Sequence, residues 1–425
     1  MLVVAIASVG CDRSASAGRR EMKFAAASAA EAVATLTVDC ARCEWDVPGR
    51  EAVMLRIMLD GQYSQHLPIV RQGLAGYRVM LGRIAAGAHV VDAAIDTELS
   101  AADLRRTDVA VESIAVDQID AARREYTGMS LAPFVYARAN TVGRFTDTPI
   151  FMWSESESTP RGTKYRYSVI FTNEDGGTPA DRLMATWGRT TDIEYIYSVE
   201  VDAAATILTQ DFQGLDHQVL PFNGQREAQH PLLWVSTDNN MVRDAGTTAI
   251  RFAPAPVQFD LTNVSREIVM DANPWMYGLS AKELVREGKI DADAPPGNGK
   301  IPDERRFVFL EGCGQAGNAG ITFGVRTGAS SWHWADRGKD YLIARDGCFR
   351  GAVPLPAGAS LADVTAVAFR ALPRSGRTAD APARITRVNQ VFMLDDKFLP
   401  GRSVLRWQGS ADLAVGGPPF EIPVR

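Results

Sequence analysis

The stretch "WGRTTDIEYIYSVEVD", residues 187–202, places apolar side chains at every second position: Ile193, Tyr195, Tyr197, Val199 and Val201. Alternation at that period marks a strand with one face buried. Short runs of the same kind recur along the chain, punctuated by Gly, Asp and Pro. They confine it to packed antiparallel sheets. With 425 residues there is material for two to four domains, each with a core. The expected fold is mainly β: three β-sandwich-type domains with one short helical insertion.

Residues 35–128 read as an immunoglobulin-like β-domain of five to seven short strands, with "LDGQ" (residues 59–62) as an Asp-Gly turn. Residues 129–304 read as a central β-sandwich, in which "RLMATW" (residues 182–187) is one candidate strand. Its last part, residues 266–304, breaks the alternation and holds the best helical stretch. There Ser280 is the expected cap of "AKELVREG" and Gly288 its end. The loop "DADAPPGNGKIPDE" that follows lacks the acid spacing of a dedicated calcium loop. Residues 305–425 return to strands, as a C-terminal jelly roll or sandwich.

Composition excludes some classes. The chain is 46% hydrophobic and 23% charged, and no apolar run approaches the roughly 18 residues of a spanning helix. A net charge of −6, with no long basic block, argues against nucleic acid as a partner.

The N-terminal "MLVVAIASVGC" resembles the end of a bacterial lipoprotein signal peptide. The resemblance implies a lipobox at Ser8, Val9 and Gly10, acylation of Cys11, and membrane attachment through lipid at the cell envelope, periplasmic or outer. Residues 1–11 are then the signal and lipobox, and residues 12–34, rich in Ala and Ser, a tether. Four cysteines remain, in two local pairs: Cys40 with Cys43, and Cys313 with Cys348. Structural disulfides in an oxidising compartment suit that arrangement. A redox pair at "CARC" and a zinc site stand as rivals, although only one CxxC is present.

No strong catalytic motif is present: no GxSxG, HExxH, P-loop or Gly-rich dinucleotide turn. The five histidines, His66, His89, His217, His230 and His333, are too far apart to form a local metal-ligand pair, and each is expected at the surface or in a turn.

The central segments "YRYSVIFTNEDGG", "RLMATWGRTTDIEYIYSVEVD" and "HPLLWVSTDNNMVRDAGT" resemble, in order and spacing, the vacuolar-protein-sorting sixty-two family. They are also distantly similar to the necrosis-inducing secreted proteins. The resemblance implies a β-sandwich and, by position, gives Asp192 and Glu194 the place of two acids of that branch's cation site. No histidine accompanies them here. His230 and Asp238, at even spacing in a second strand-like segment, complete a conceivable ligand or metal site with them. The competing reading has Asp192 and Glu194 facing water at a strand's start, with Tyr195 and Tyr197 buried together behind them.

"SSWHWADRGKDY" puts Trp332 and Trp334 on one face, a geometry suited to stacking on sugar rings or to covering a core. The expectation is thus an exported, lipid-anchored, non-catalytic binding or scaffold protein, with a glycan or other envelope component as partner. No resident cofactor is expected beyond a divalent cation at the acids. A metal-dependent hydrolase and a membrane-acting protein are the alternatives.

Overall fold

The computed structural model describes residues 18–174, 176–328, 331–377 and 382–424. Cys11 and its lipobox lie outside the described residues. The fold is mainly β, in three successive pairs of packed sheets.

In the N-terminal pair, one sheet runs Arg19–Ala26, Gly87–Asp96, Val53–Leu59, Gln62–Ile69 from edge to edge. The other runs Gly73–Ile84, Ala30–Cys40, Ala110–Ile119. The expected tether is therefore corrected from residue 19 onward: it forms the first strand and the start of the second. In Arg19–Ala26 the charged Arg19, Glu21 and Lys23 point outward, while Met22 and Phe24 pack on the core. Ala30, Ala32 and Ala34 are fully buried in the core of this pair. Tertiary packing here overrides the helical preference of an Ala-rich run.

The central pair has a six-stranded sheet and a smaller one of five strands. Asp192–Val201 is an interior strand of the larger, between Gly162–Phe171 and Ile207–Gln213. "RLMATW" is not a strand but part of the helix Ala180–Trp187. Pro179 opens it, and Gly188, at φ +61°, closes it by donating to the Leu183 and Met184 carbonyls.

The helical insertion contains Ile268–Ala272 and Trp275–Arg286. Ser280 does not cap it. It sits buried in mid-helix, and Pro274, with φ already at −66°, starts the longer helix instead. Gly288 does end it, at φ +64°: its N–H reaches the Val285 carbonyl at 3.0 Å, and that of Lys289 reaches Leu284 at 2.8 Å.

The C-terminal pair has two four-stranded sheets. Cys313 and Cys348 face each other in adjacent antiparallel strands, Phe307–Gln315 and Gly347–Pro354, and are bonded. Cys40 and Cys43 are bonded as well.

The insertion is the keystone between the second and third units. Met270, Met276, Tyr277 and Leu284 share one core with Trp153 and Ile193 of the central sheet and Phe309 and Phe392 of the C-terminal one. Within that seam Arg350 is fully buried. It donates to Glu311 at 2.6 Å, to Asp271 at 2.6 and 2.7 Å, and to the Tyr277 hydroxyl at 2.7 Å.

Candidate functional site

Strand Asp192–Val201 does not keep one parity. Against its neighbour, Tyr197 opposes Tyr167 while Tyr195 opposes Ser168, so Ile196 is an extra residue in a β-bulge. From Tyr197 to Val201 the alternation holds as expected, with Tyr197, Val199 and Val201 in the sandwich core. Before the bulge the faces are exchanged. Asp192 and Glu194 point inward, 3% and 8% exposed, and Tyr195 is half-buried outside, donating to Asp211. The expectation that the acids face solvent is overturned.

The pair sits inside the sandwich end. Asn240 donates to Asp192 Oδ2 at 2.9 Å, and the Arg189 guanidinium lies 3.9 Å from its other oxygen. Gln213 donates to Glu194 Oε2 at 2.5 Å, and the exposed His217 ring lies 4.0 Å away. Burial raises the Asp192 carboxyl to about 6, with Arg189 opposing and Glu174 reinforcing the rise. Burial, then the Asp192 charge, hold Glu194 well above the usual carboxylate range. Arg189 also faces Glu267 at 3.4 Å. Burial acts to raise that acid, but Arg189, Arg345, Arg266 and Arg350 together outweigh it, so Glu267 stays ionised.

The other expected members of this site are elsewhere. His230 is 1% exposed; its Nδ1 donates to the Ala132 carbonyl at 2.8 Å, its Nε2 lies 2.9 Å from Glu31, and its ring stacks on Phe134. It ties the central to the N-terminal sandwich. Its strand ends at Val235, so Asp238 lies in the turn beyond, largely exposed and paired with Arg138. The even spacing is real, but the straight strand it needs is not. Among the described residues no group of three or more His, Cys, Asp or Glu converges as metal ligands. Two more histidines are buried rather than at the surface. His66 lies between Tyr63 and Asp96, and His89 between Asp60 and the Ala85 carbonyl.

Trp332 and Trp334 lie on the edge strand Ser331–Trp334, half-buried, with ring centroids 5.6 Å apart. Arg326 lies over one ring at 5.5 Å and Arg370 over the other at 4.0 Å. The two guanidiniums occupy faces that a sugar ring would need.

Sequence reasoning missed a polar groove of about 730 Å³ against the strands Pro149–Thr159 and Gly162–Phe171 of the six-stranded sheet. Glu155 pairs in register with Arg166, and Glu157 with Lys164, across Pro149–Thr159 and Gly162–Phe171. Arg124, Glu125, Ser156 and the segment 258–262, with Asp260, complete its lining, which holds three cations and four acids in all. Among the described residues, Arg124, Glu155, Glu157 and Arg166 make no ion pair closer than 4 Å. The run "WSESEST" carried the signal, since its alternate acids face alternate cations of "KYRY". A second hollow of about 270 Å³ shares Arg124, Ser156, Glu157 and Gln258 and extends it past Tyr165.

No protein-family model matches the chain, and no curated protein is significantly similar to it. Among the described residues no helix is long and apolar enough to cross a membrane. The two disulfides are compatible with an extracellular or periplasmic setting.

Proposed function

We propose that this is an exported, lipid-anchored protein of a bacterial cell envelope that binds a neutral glycan on its central sandwich without transforming it. The groove of Glu155, Glu157, Lys164 and Arg166 carries this reading. Its charges are of both signs and nearly balanced, which disfavours a polyanion or a polycation. Planar carboxylates and guanidiniums, fixed on strands, suit a ligand rich in hydroxyl groups, each of which both donates and accepts. The "MLVVAIASVGC" segment and the two disulfides support the location. The experiment is a glycan array probed with the full chain, alongside the double variant Glu155→Ala, Arg166→Ala. Binding of uncharged polysaccharides that the variant loses, with an unchanged melting temperature, is the expected result. Binding that survives the variant counts against the groove.

A second reading rests on Glu194. A carboxyl kept protonated beside an ionisable neighbour is the arrangement of a general acid, and His217 opens toward solvent next to it. Hydrolysis of a bound glycan that Glu194→Gln abolishes would select this alternative.

A further inference from the structure

Where the N-terminal and central sandwiches meet the helical insertion there is a cavity of about 230 Å³. Its floor is stitched between the two sandwiches. The Met80 N–H donates to the Ala253 carbonyl at 2.8 Å, and the Ala255 N–H to the Arg78 carbonyl at 3.1 Å. Gln65, fully buried, accepts from the Ala253 N–H at 3.0 Å and donates to the Met80 carbonyl. A floor held in this way is formed before any ligand arrives.

The walls are apolar: Leu67, Val70, Val79, Ile150, Phe151 and Phe252. Polar groups complete the lining, Gln65, His66 and Asn273 among them. The Arg71 guanidinium lies over the Trp275 ring at 5.1 Å, Arg78 lines the same cavity, and the Tyr77 hydroxyl accepts from the Arg71 N–H at 3.2 Å. None of the lining residues is Asp or Glu. Among the described residues neither guanidinium has an acidic partner within 4 Å, unlike the buried Arg350 and Arg189. An apolar chamber with unneutralised positive charge on its rim is complementary to one kind of molecule.

We propose that this cavity binds a small carboxylate with an apolar, ring-sized body, its acid group taken by Arg71. The volume suits that size: a cavity of about 150 Å³ holds benzene, so this one accommodates a ring and a short acid arm. The guanidinium of Arg71, held over the Trp275 ring at 5.1 Å, has the planar fork that matches both oxygens of a carboxylate. The site shares no lining residue with the polar groove, although both draw on the strands Pro149–Thr159 and Val257–Gln258.

Calorimetric titration of the full chain with phenylacetate and with phenylacetamide tests it, since the two probes share a shape and differ in charge. Expected is saturable binding of one phenylacetate per chain, with the amide on the order of tenfold weaker. Arg71→Gln should erase that preference. Gly76→Leu should weaken both probes, since Gly76 lines the cavity, and the fold should accept it, since an added Cβ there meets no atom within 4 Å. Equal affinity for the two probes in the unaltered protein, or no saturation below roughly 10 mM, overturns the proposal. The wild-type comparison decides the matter even if Arg71→Gln does not fold.

Discussion

Replacing Asp192 by Asn tests whether the acid pair is held protonated by its surroundings. The folded carboxyl is raised to about 6, first by burial, with Arg189 working against the rise. In the unfolded chain an aspartate titrates near about 3.9. Over the interval between, the folded state keeps a proton that the unfolded state gives up. Stability from this group is therefore fully present at low pH and is lost as pH rises through the folded value. Linkage puts the cost at about 1 kcal/mol at pH 4.5 and about 3 kcal/mol at pH 7.5, a difference of about 2 kcal/mol. Asparagine has the shape of the neutral acid and keeps an oxygen for the Asn240 amide, which is 2.9 Å from Asp192 Oδ2. The variant should gain about 2 kcal/mol on the unaltered protein between those two pH values. Relief of Glu194, whose carboxyl the Asp192 charge also raises, acts in the same direction. Other titrating groups, among them Glu304, raised to about 7, are common to both proteins and cancel in the comparison. Three sandwiches need not unfold together, so the measurement is native-state hydrogen exchange read on the amides of residues 192–201. If the variant instead loses ground as pH rises, the fold relies on the ionised carboxylate, and burial does not keep the pair protonated.

Arg350→Met should cost about 3–5 kcal/mol, because it leaves Glu311 and Asp271 without their buried cation. Adding Glu311→Gln should recover part of the loss, and urea unfolding of the single and double variants checks both statements. The Cys313–Cys348 bond closes a separation of 35 residues, for which loop entropy gives about 3–4 kcal/mol at most. Cys313→Ala with Cys348→Ala should lower the melting temperature of the C-terminal sandwich, and reductant should do the same to the unaltered protein. Ready alkylation of both thiols in the native oxidised protein would refute this pairing.

Fold class is legible in the sequence because alternation is a local signal, carried within each short run. What escapes such reading is everything that depends on a neighbour. The bulge at Ile196 is set by the partner strand, where Ser168 opposes Tyr195, and nothing within "DIEYIYSVEVD" announces it. One extra residue is enough to turn Asp192 and Glu194 from the solvent face to the core. "RREMKFAA" alternates plainly, yet the Ala-rich run that follows it suggests a tether or weak helix, since Ala is a poor strand former in isolation. The buried arginines are invisible for the same reason. Arg350 in "CFRGAVPL" looks like an ordinary outward-facing cation, and its acids come from 39 and 79 residues away. Site residues follow this division: the acids and Arg189 lie together in one short stretch, but Asn240 and Gln213 reach them through tertiary contacts.

Those long-range contacts converge on one helix, and this bears on how binding surfaces are presented. Trp275–Arg286 touches all three sandwiches. Glu283, buried, accepts from the Trp45 indole of the first and pairs with Arg286 at 2.7 Å. Arg286 in turn donates to the Phe145 carbonyl at 2.7 Å, in the segment leading into the central unit. Tyr277 donates to Asp271 at 2.6 Å while accepting from Arg350 of the third. Burial raises the Glu283 carboxyl, and Arg286 pulls the other way, so the group is held by its partners rather than by water. A string of domains on flexible links would have placed its exposed contacts at the junctions. Here the junctions are filled with buried charge pairs that are strongly destabilising to break one partner at a time. The sandwiches are thereby fixed against one another, and the cavity between them, with Trp275 as one wall, inherits that rigidity.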